Sequence, residues 1–424
     1  MSESTSLIWP PFTPLITDIN PVKIVKGDGV YLHTDDGRKI IDGVSSWWVS
    51  IHGHGNKEIA KAIYEQAKQL EHVIFAGFTH DPAQKLVQNL KKIVPEQMAK
   101  FFFSDDGSTS VEVALKMAFQ YWYNKNQKHK TKVIAMEGAY HGDTFGSMSV
   151  GDRSIFTKPF FPFLFDIELI QLPTEENRDS VIEHFKKLIN QEDIASFIFE
   201  PLVQGSGGMR VYSPEVLDEL MDLAKSKDII CIADEVMTGF GRTGKLFATD
   251  HTRNDADIMC LSKGLTGGTL AMGITTCNQK IVDAFQSDEL SKALLHGHSY
   301  TGNPIACAAA NASFDILMHE KCTSSRQMIN EKHLLFAKKL EDNQKVENIR
   351  VLGTILAFEI KNNDGTSYDN AIRKQIFPYF IERNILLRPL GNVIYIMPPY
   401  VMEESQLEEI YNAILDFLAE KIEG

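Results

Sequence analysis

Asp234 closes the apolar run Ile229-Ile230-Cys231-Ile232-Ala233, and Lys263 stands just past Ile258-Met259-Cys260-Leu261-Ser262. Each run has the length and β-branched, apolar character of a strand buried on both faces, so each delivers its charged residue to the carboxyl edge of a sheet. That edge is where open α/β sheets bind ligands. A carboxylate and a primary amine together there suit pyridoxal 5'-phosphate, whose ring nitrogen needs an anionic partner and whose aldehyde needs a lysine. Asp234 would keep the ring nitrogen protonated, and Lys263 would carry the aldehyde and later move the substrate's proton. For one Asp and one Lys taken alone an ordinary salt bridge is the commoner explanation, so the surrounding motifs decide.

A phosphate needs backbone donors, which the first turn of a helix supplies. Asp106-Gly107-Ser108-Thr109-Ser110 follows a predicted strand and opens a predicted helix. Gly107 permits close backbone approach and Ser108 adds a hydroxyl, although Ser and Thr cap any helix equally well. Gly239-Phe240-Gly241-Arg242-Thr243-Gly244 matches the dinucleotide fingerprint in letters. That fingerprint requires glycines directly after a strand and opening a helix. Here Asp234 to Thr238 intervene and no long helical pattern follows, so the segment reads as a glycine-rich loop beside Asp234.

Tyr140, in Tyr140-His141-Gly142-Asp143-Thr144 just past a strand, can lie flat against a cofactor ring. Trp47-Trp48 reads as an extended pair pointing to opposite faces, mostly core, with one indole free to line a pocket. Arg388, before Pro389 at a bend between strand-like runs, can clamp a carboxylate bidentately, the alternative being a surface arginine. His52-Gly53-His54 and His296-Gly297-His298 lack the further ligands of a metal site and read as loop or core histidines.

These residues need a frame. From about Ile59 to Thr276 apolar runs alternate with helical-period segments, the pattern of βα units around a largely parallel sheet. The predicted strands are Phe101 to Phe103, Val133 to Met136, Ile167 to Leu172, Ala195 to Phe199, Ile229 to Ala233, Ile258 to Leu261 and Gly273 to Cys277. On the helix from Val111 to Tyr123, residues Val111, Leu115, Ala118 and Trp122 share a face. After the Ala-rich stretch Asn303 to Met318, a strand-like Arg350 to Ile360, helix-like Asn370 to Glu382, strand-like Val393 to Met397 and helix-like Glu404 to Lys421 form an α+β unit. The opening residues, with a β-like stretch Val30 to Asp42 turning at Asp35-Asp36-Gly37-Arg38, are too few for a core and should pack on that unit. The expectation is an α/β protein in two domains, 46–319 and a smaller one built from 1–45 and 320–424.

With 43 Lys plus Arg against 56 Asp plus Glu, the net charge of -13 argues against nucleic acid or an anionic membrane as main partner. The five cysteines are odd in number, lie mostly in apolar runs and form no C-x-x-C pair, which fits a reduced cytosol. Met1-Ser2-Glu3-Ser4-Thr5 lacks the basic start of a signal peptide, and no apolar run approaches a membrane span.

Together these pieces resemble the class III, fold type I pyridoxal-phosphate aminotransferases over nearly the whole chain. The matching motifs include Ile8-Trp9-Pro10-Pro11-Phe12-Thr13, Ser45-Ser46-Trp47-Trp48, Asp106-Gly107-Ser108 and Tyr140-His141-Gly142-Asp143-Thr144. Asp234-Glu235-Val236-Met237-Thr238-Gly239-Phe240-Gly241-Arg242-Thr243-Gly244, Ser262-Lys263-Gly264, Gly302-Asn303-Pro304 and Arg388-Pro389 complete them. Trp47-Trp48, Ser262 to Gly268 and Met397-Pro398-Pro399-Tyr400 narrow the likeness to the members serving biotin synthesis. The resemblance implies a large domain with a mostly parallel seven-stranded sheet, a small α+β domain, and a homodimer with shared active sites. It implies that Gly107 and Ser108 hold the cofactor phosphate, Tyr140 stacks near the ring, Asp234 pairs with its nitrogen and Lys263 carries it. His298 and Ser299 would reach the phosphate from the other subunit. Phe12, Trp47, Tyr140, Gly297 and Arg388 would meet substrate. The implied reaction is ping-pong, from S-adenosylmethionine to the 7-oxo carbon of 8-amino-7-oxononanoate, whose carboxylate Arg388 would hold.

The chain departs from the pattern at Phe12, where tyrosine is frequent, and at His298-Ser299, where Pro-Thr is frequent in adenosylmethionine users. Both variants also resemble relatives that use lysine, so lysine stays an alternative donor. Other readings are a class III enzyme acting on ornithine or 4-aminobutyrate, and a cofactor-binding regulator without turnover. Retention of both Asp234 and Lys263 disfavours the last.

Overall fold

The computed structural model describes residues 7–15, 21–361, 370 and 372–422. Met1–Thr5 therefore lies outside the described residues. All seven predicted strands join one sheet in the spatial order Met98–Ser104, Gly273–Asn278, Ile258–Leu261, Ile230–Asp234, Ile194–Phe199, Lys132–Met136, Glu168–Ile170. Gly273–Asn278 runs antiparallel to both neighbours, and the other pairings are parallel. The exception follows from connection length: the stretch 262–272 is too short for a helical crossover, so the chain has to turn straight back.

Side chains alternate across this sheet with period two. Ile230 and Ile232 enter the cluster under the helix Gly107–Asn124, with Val111, Leu115, Ala118 and Trp122. Cys231 and Ala233 face the opposite layer with Leu217 and Leu220 of the helix Pro214–Ser226. Both faces of the strand are thus covered, as its continuous apolar run requires.

The chain's two ends meet in one sheet. Ile24–Asp28, Tyr31–Thr34 and Lys39–Asp42 form an antiparallel meander, and Ile385–Leu386 adds in parallel to Lys39–Asp42. A second, antiparallel sheet of Val346–Leu352, Ile355–Ile360 and Val393–Ile396 lies beside the long helix Glu320–Glu341.

Two local expectations are corrected. Arg350 to Ile360 is a hairpin rather than one strand, because Gly353 turns with φ 58 and sits so close to Gly244 that a Cβ there would lie 2.2 Å from its nitrogen. Trp47 and Trp48 are not on an extended segment. Ser45, Ser46 and Trp48 all have positive φ (50, 60 and 67), a cramped turn that costs backbone strain in non-glycine residues. Hydrogen bonds hold it: Ser45 Oγ donates to Met397 O (2.9 Å), and Ser46 Oγ to Asp42 Oδ2 (2.9 Å).

Candidate active site

A cavity of about 1020 Å³ opens at the carboxyl edge of the large sheet. It collects Gly107, Ser108, Tyr140, Asp234 and Lys263 from the carboxyl ends of four different strands and the segments that follow them. Phe12, Trp47 and Arg388 reach the same cavity from the two ends of the chain. Gly297, His298 and Ser299 do not line it; His298 Nε2 lies 3.3 Å from Phe103 O and its Nδ1 3.3 Å from Asp105 Oδ2.

Asp234 ends its strand almost fully buried. Its Oδ2 is 2.7 Å from His141 Nδ1, and its Oδ1 accepts from Val236 N (3.1 Å). His141 lines the cavity, and its Nε2 is buried without a hydrogen-bond partner among the described residues. Lys263 follows the neighbouring strand with φ 47, a left-handed conformation that aims its side chain back over the sheet edge. Its Nζ lies 4.6 Å from the centre of the Trp48 ring. Burial pulls its ammonium down to a pKa of about 8, against the pull of Asp234 and Glu200, which favour the charged form.

Gly107 begins the helix Gly107–Asn124, capped by Asp106 Oδ1 on Thr109 N (2.7 Å). The Asp106–Ser110 motif is a helix cap, and Gly107 and Ser108 of its first turn also line the cavity. The first intrahelical bond runs from Ser110 N to Asp106 O (3.0 Å), so the amides of Gly107 and Ser108 precede the ladder. A Cβ on Gly107 would come within 2.5 Å of Val236 Cγ1, so only glycine fits. Ser108 Oγ accepts from Thr144 N (3.0 Å), tying this turn to the Tyr140 loop.

Tyr140 donates its hydroxyl to Asp143 Oδ2 (3.0 Å), and burial with that neighbouring carboxylate raises its pKa. Its backbone N donates to Glu200 Oε1 (3.0 Å). At the mouth, the Phe12 ring lies 6.0 Å from Trp47 and 5.8 Å edge-on from Phe156. The Arg388 guanidinium carbon stands 4.7 Å over the Trp47 ring and makes no ion pair with a described residue.

Sequence reasoning does not single out Glu200, His141 or Arg242. Glu200 follows the strand Ile194–Phe199 as Asp234 ends its own, and burial raises its carboxyl to about 7. That shared position was the available signal. Arg242 is buried and donates to Pro398 O (2.8 Å) and Trp48 O (3.1 Å), so the glycine-rich loop braces the wall behind Lys263. No helix starts at its glycines, in keeping with rejection of the dinucleotide reading; the next helical turn is Ala248–His251.

The first histidine pair is held structurally: His52 Nε2 bonds Ser313 O (3.0 Å) and His54 Nε2 bonds Asp42 (2.8 Å). No cluster of metal-ligating side chains occurs among the described residues. Among them, too, no helix is long and apolar enough to cross a membrane.

The aminotransferase class-III family model matches residues 16–418. An adenosylmethionine-8-amino-7-oxononanoate aminotransferase from Synechococcus elongatus is 45% identical over 97% of this chain and 98% of its own. The enzyme of that name from Buchnera aphidicola of Schizaphis graminum is 37% identical over 96% and 94%. Among solved structures, the enzyme of that name from Methanocaldococcus jannaschii superposes with a TM-score of 0.89 at 34% identity over 97% of both chains. A PLP-bound amine transaminase from an uncultivated Pseudomonas species gives 0.91 at 28% identity over 99% of both. The chain belongs to the class III aminotransferases, enzymes that work with pyridoxal 5'-phosphate.

Proposed function

We propose that the chain transfers an amino group from S-adenosylmethionine to 8-amino-7-oxononanoate, giving 7,8-diaminononanoate for biotin synthesis. One observation carries this reading beyond the family: Arg388, with no ion-pair partner among the described residues, stacks on Trp47 at the mouth of the cavity, where Phe12 lies against Trp47 and Phe156 against Phe12. A guanidinium there suits the far carboxylate of a long oxo acid, and the aromatic rim suits an adenine and a sulfonium. The names carried by relatives at 45% and 37% identity support the same substrates.

The residues present fit pyridoxal phosphate. Gly107 and Ser108, whose amides precede the helix ladder, line the cavity, as does His141, whose buried Nε2 has no partner among the described residues and whose Nδ1 meets Asp234. Gly107 and Ser108 would hold the phosphate, Tyr140 would pack near the ring, Asp234 would pair with its nitrogen and Lys263 would carry it. Bound there, the cofactor supplies an electron sink for the substrate's α-carbanion character. Lys263 is the base, and a pKa near 8 leaves a useful neutral fraction at physiological pH. The Trp48 ring stands over the amine, and the buried Arg242 braces it from behind.

We further propose a two-domain division at 46–319 and 1–45 with 320–424, supported by the pairing of Ile385–Leu386 with Lys39–Asp42. We also propose a homodimer, in which Gly297, His298 and Ser299, which lie outside this chain's own cavity, would complete the site of a second copy. Five buried cysteines with no disulfide support a reducing, cytosolic setting. The test is product formation: holoenzyme with 8-amino-7-oxononanoate and adenosylmethionine should yield diaminononanoate by mass spectrometry, and 4-aminobutyrate or ornithine in place of either substrate should not. Turnover of those amines alone would reject the reading.

A further inference from the structure

Arg350 lies on the strand Val346–Leu352, just past a bulge where the register slips between Glu347 and Arg350 and Asn348 takes φ 49. Its guanidinium leaves its own sheet. Nε donates to Met209 O (2.7 Å), Nη2 donates to Gly208 O, and Nη1 pairs with Glu359 Oε1 at 3.0 Å. The second oxygen of Glu359 accepts from Asn348 Nδ2 (3.1 Å). Both charged side chains are nearly buried, 13% and 8% exposed.

The two carbonyls belong to the loop Gly205–Met209, of which Ser206, Gly207 and Gly208 line the cavity. Gly208 and Met209 have φ 100 and 53, and their amides turn back onto Gly205 O (3.2 and 3.0 Å). At its inner end Gly205 N donates to Glu200 Oε2 (2.9 Å), whose other oxygen receives Tyr140 N. The loop is therefore pinned at one end by Glu200 and at the other by Arg350. Only a planar fork reaches two successive carbonyls and a carboxylate together; an ammonium supplies one point of contact.

We propose that Arg350 is a positioning residue that holds the Gly205–Met209 loop as the substrate-side wall of the cavity, rather than a counter-ion for Glu359. The inference rests on the proposed transaminase reading of that cavity. Four proteins separate the cases: wild type, Arg350→Lys, Arg350→Met, and the double variant Arg350→Met/Glu359→Met, which leaves no buried charge. Arg350→Met should raise substrate KM on the order of tenfold with kcat little changed, and speed amide exchange across 205–210. Arg350→Lys should fall between. The double variant should regain thermal stability while KM and exchange stay raised, and it decides alone if the single variant does not fold. A double variant with wild-type KM and exchange overturns the proposal, as does a fall in kcat at unchanged KM. Wild type inactive on both substrates would reject the proposed substrate pair, whereas the exchange comparison still tests the anchor.

Discussion

His141 Nδ1 stands 2.7 Å from Asp234 Oδ2, with the two side chains 0% and 5% exposed. An ionised carboxylate only accepts, so the imidazole must donate from Nδ1, while Nε2 is buried with no partner among the described residues. With Val236 N on the other oxygen, Asp234 is fixed in orientation before any ligand arrives. Asp234→Asn should keep the fold and much of the cofactor binding, since the amide is isosteric. It should lose activity on the order of a hundredfold or more, because a neutral group does not stabilise a protonated ring nitrogen. Steady-state kcat beside the visible spectrum of bound cofactor checks both halves. Near wild-type turnover would make Asp234 structural.

Lys263 is the one lysine among the described residues that lines this cavity. Borohydride reduction of the holoenzyme followed by peptide mapping should label that residue alone, and Lys263→Ala should abolish turnover. Its lowered pKa of about 8 adds a pH dependence. Only the neutral amine is nucleophilic, so capture of added cofactor by the cofactor-free protein should accelerate as pH rises through about 8 and level above it. Stopped-flow absorbance from pH 6.5 to 9.5 reads this, and a flat profile contradicts the assignment.

Asp234 and Lys263 are legible in the sequence because a strand buried on both faces leaves no apolar ambiguity about where it ends, and charge at that end is conspicuous. All seven strands and the Gly107–Asn124 helix follow from local pattern for the same reason. The Trp47-Trp48 turn does not. Its backbone is set by Asp42, Met397 and Arg242, partners spread across most of the chain, and no local propensity encodes three positive φ values. The break at Gly353 is hidden likewise, since what demands glycine there is the approach of Gly244.

Arg388 has Trp47 beneath it and no carboxylate partner among the described residues, an arrangement that leaves its charge for a ligand. Arg388→Ala should weaken the oxononanoate half-reaction by about 2 to 5 kcal/mol if the ion pair forms away from water. Because both substrates use one pocket in turn, single-turnover measurement of each half is needed. An unchanged acceptor half would place Arg388 outside the site.

His333 is fully buried between Tyr411 Oη (2.7 Å from Nδ1) and Thr354 O (3.2 Å from Nε2). The carbonyl only accepts, so the neutral ring is satisfied with its proton on Nε2. Burial lowers its pKa to about 4 from 6.5. Between those values the unfolded chain binds a proton that the folded chain refuses, so stability falls as pH drops through the window, by on the order of 3 kcal/mol. Above pH 6.5 both states are neutral and the penalty vanishes. His333→Gln removes the titration, and its melting temperature should fall less steeply than wild type from pH 6.5 to 4. His52, also lowered to about 4, keeps part of the slope. Burial raises Glu200 and Glu235 to about 7, which opposes that slope equally in both proteins. Parallel curves would mean that His333 is protonated in the fold.

The donor prediction turns on the mouth of the cavity. Trp47 is 41% exposed, with Phe12 beside it, Phe156 edge-on against Phe12, and Arg388 over one face of the indole. Adenosylmethionine offers a flat base and a sulfonium, which aromatic faces attract by stacking and by cation-π contact. Lysine has a slim aliphatic chain that gains little from such a rim. Phe12 without a hydroxyl and His298-Ser299 point the other way, being the substitutions that resemble lysine users. Mixing the aldehyde form of the enzyme with each amine separately measures the balance. Adenosylmethionine should bleach the visible cofactor band at far lower concentration than lysine, and Trp47→Leu should erase most of that difference by weakening adenosylmethionine alone. If lysine converts the enzyme and adenosylmethionine does not, the donor assignment fails while cofactor and acceptor stand.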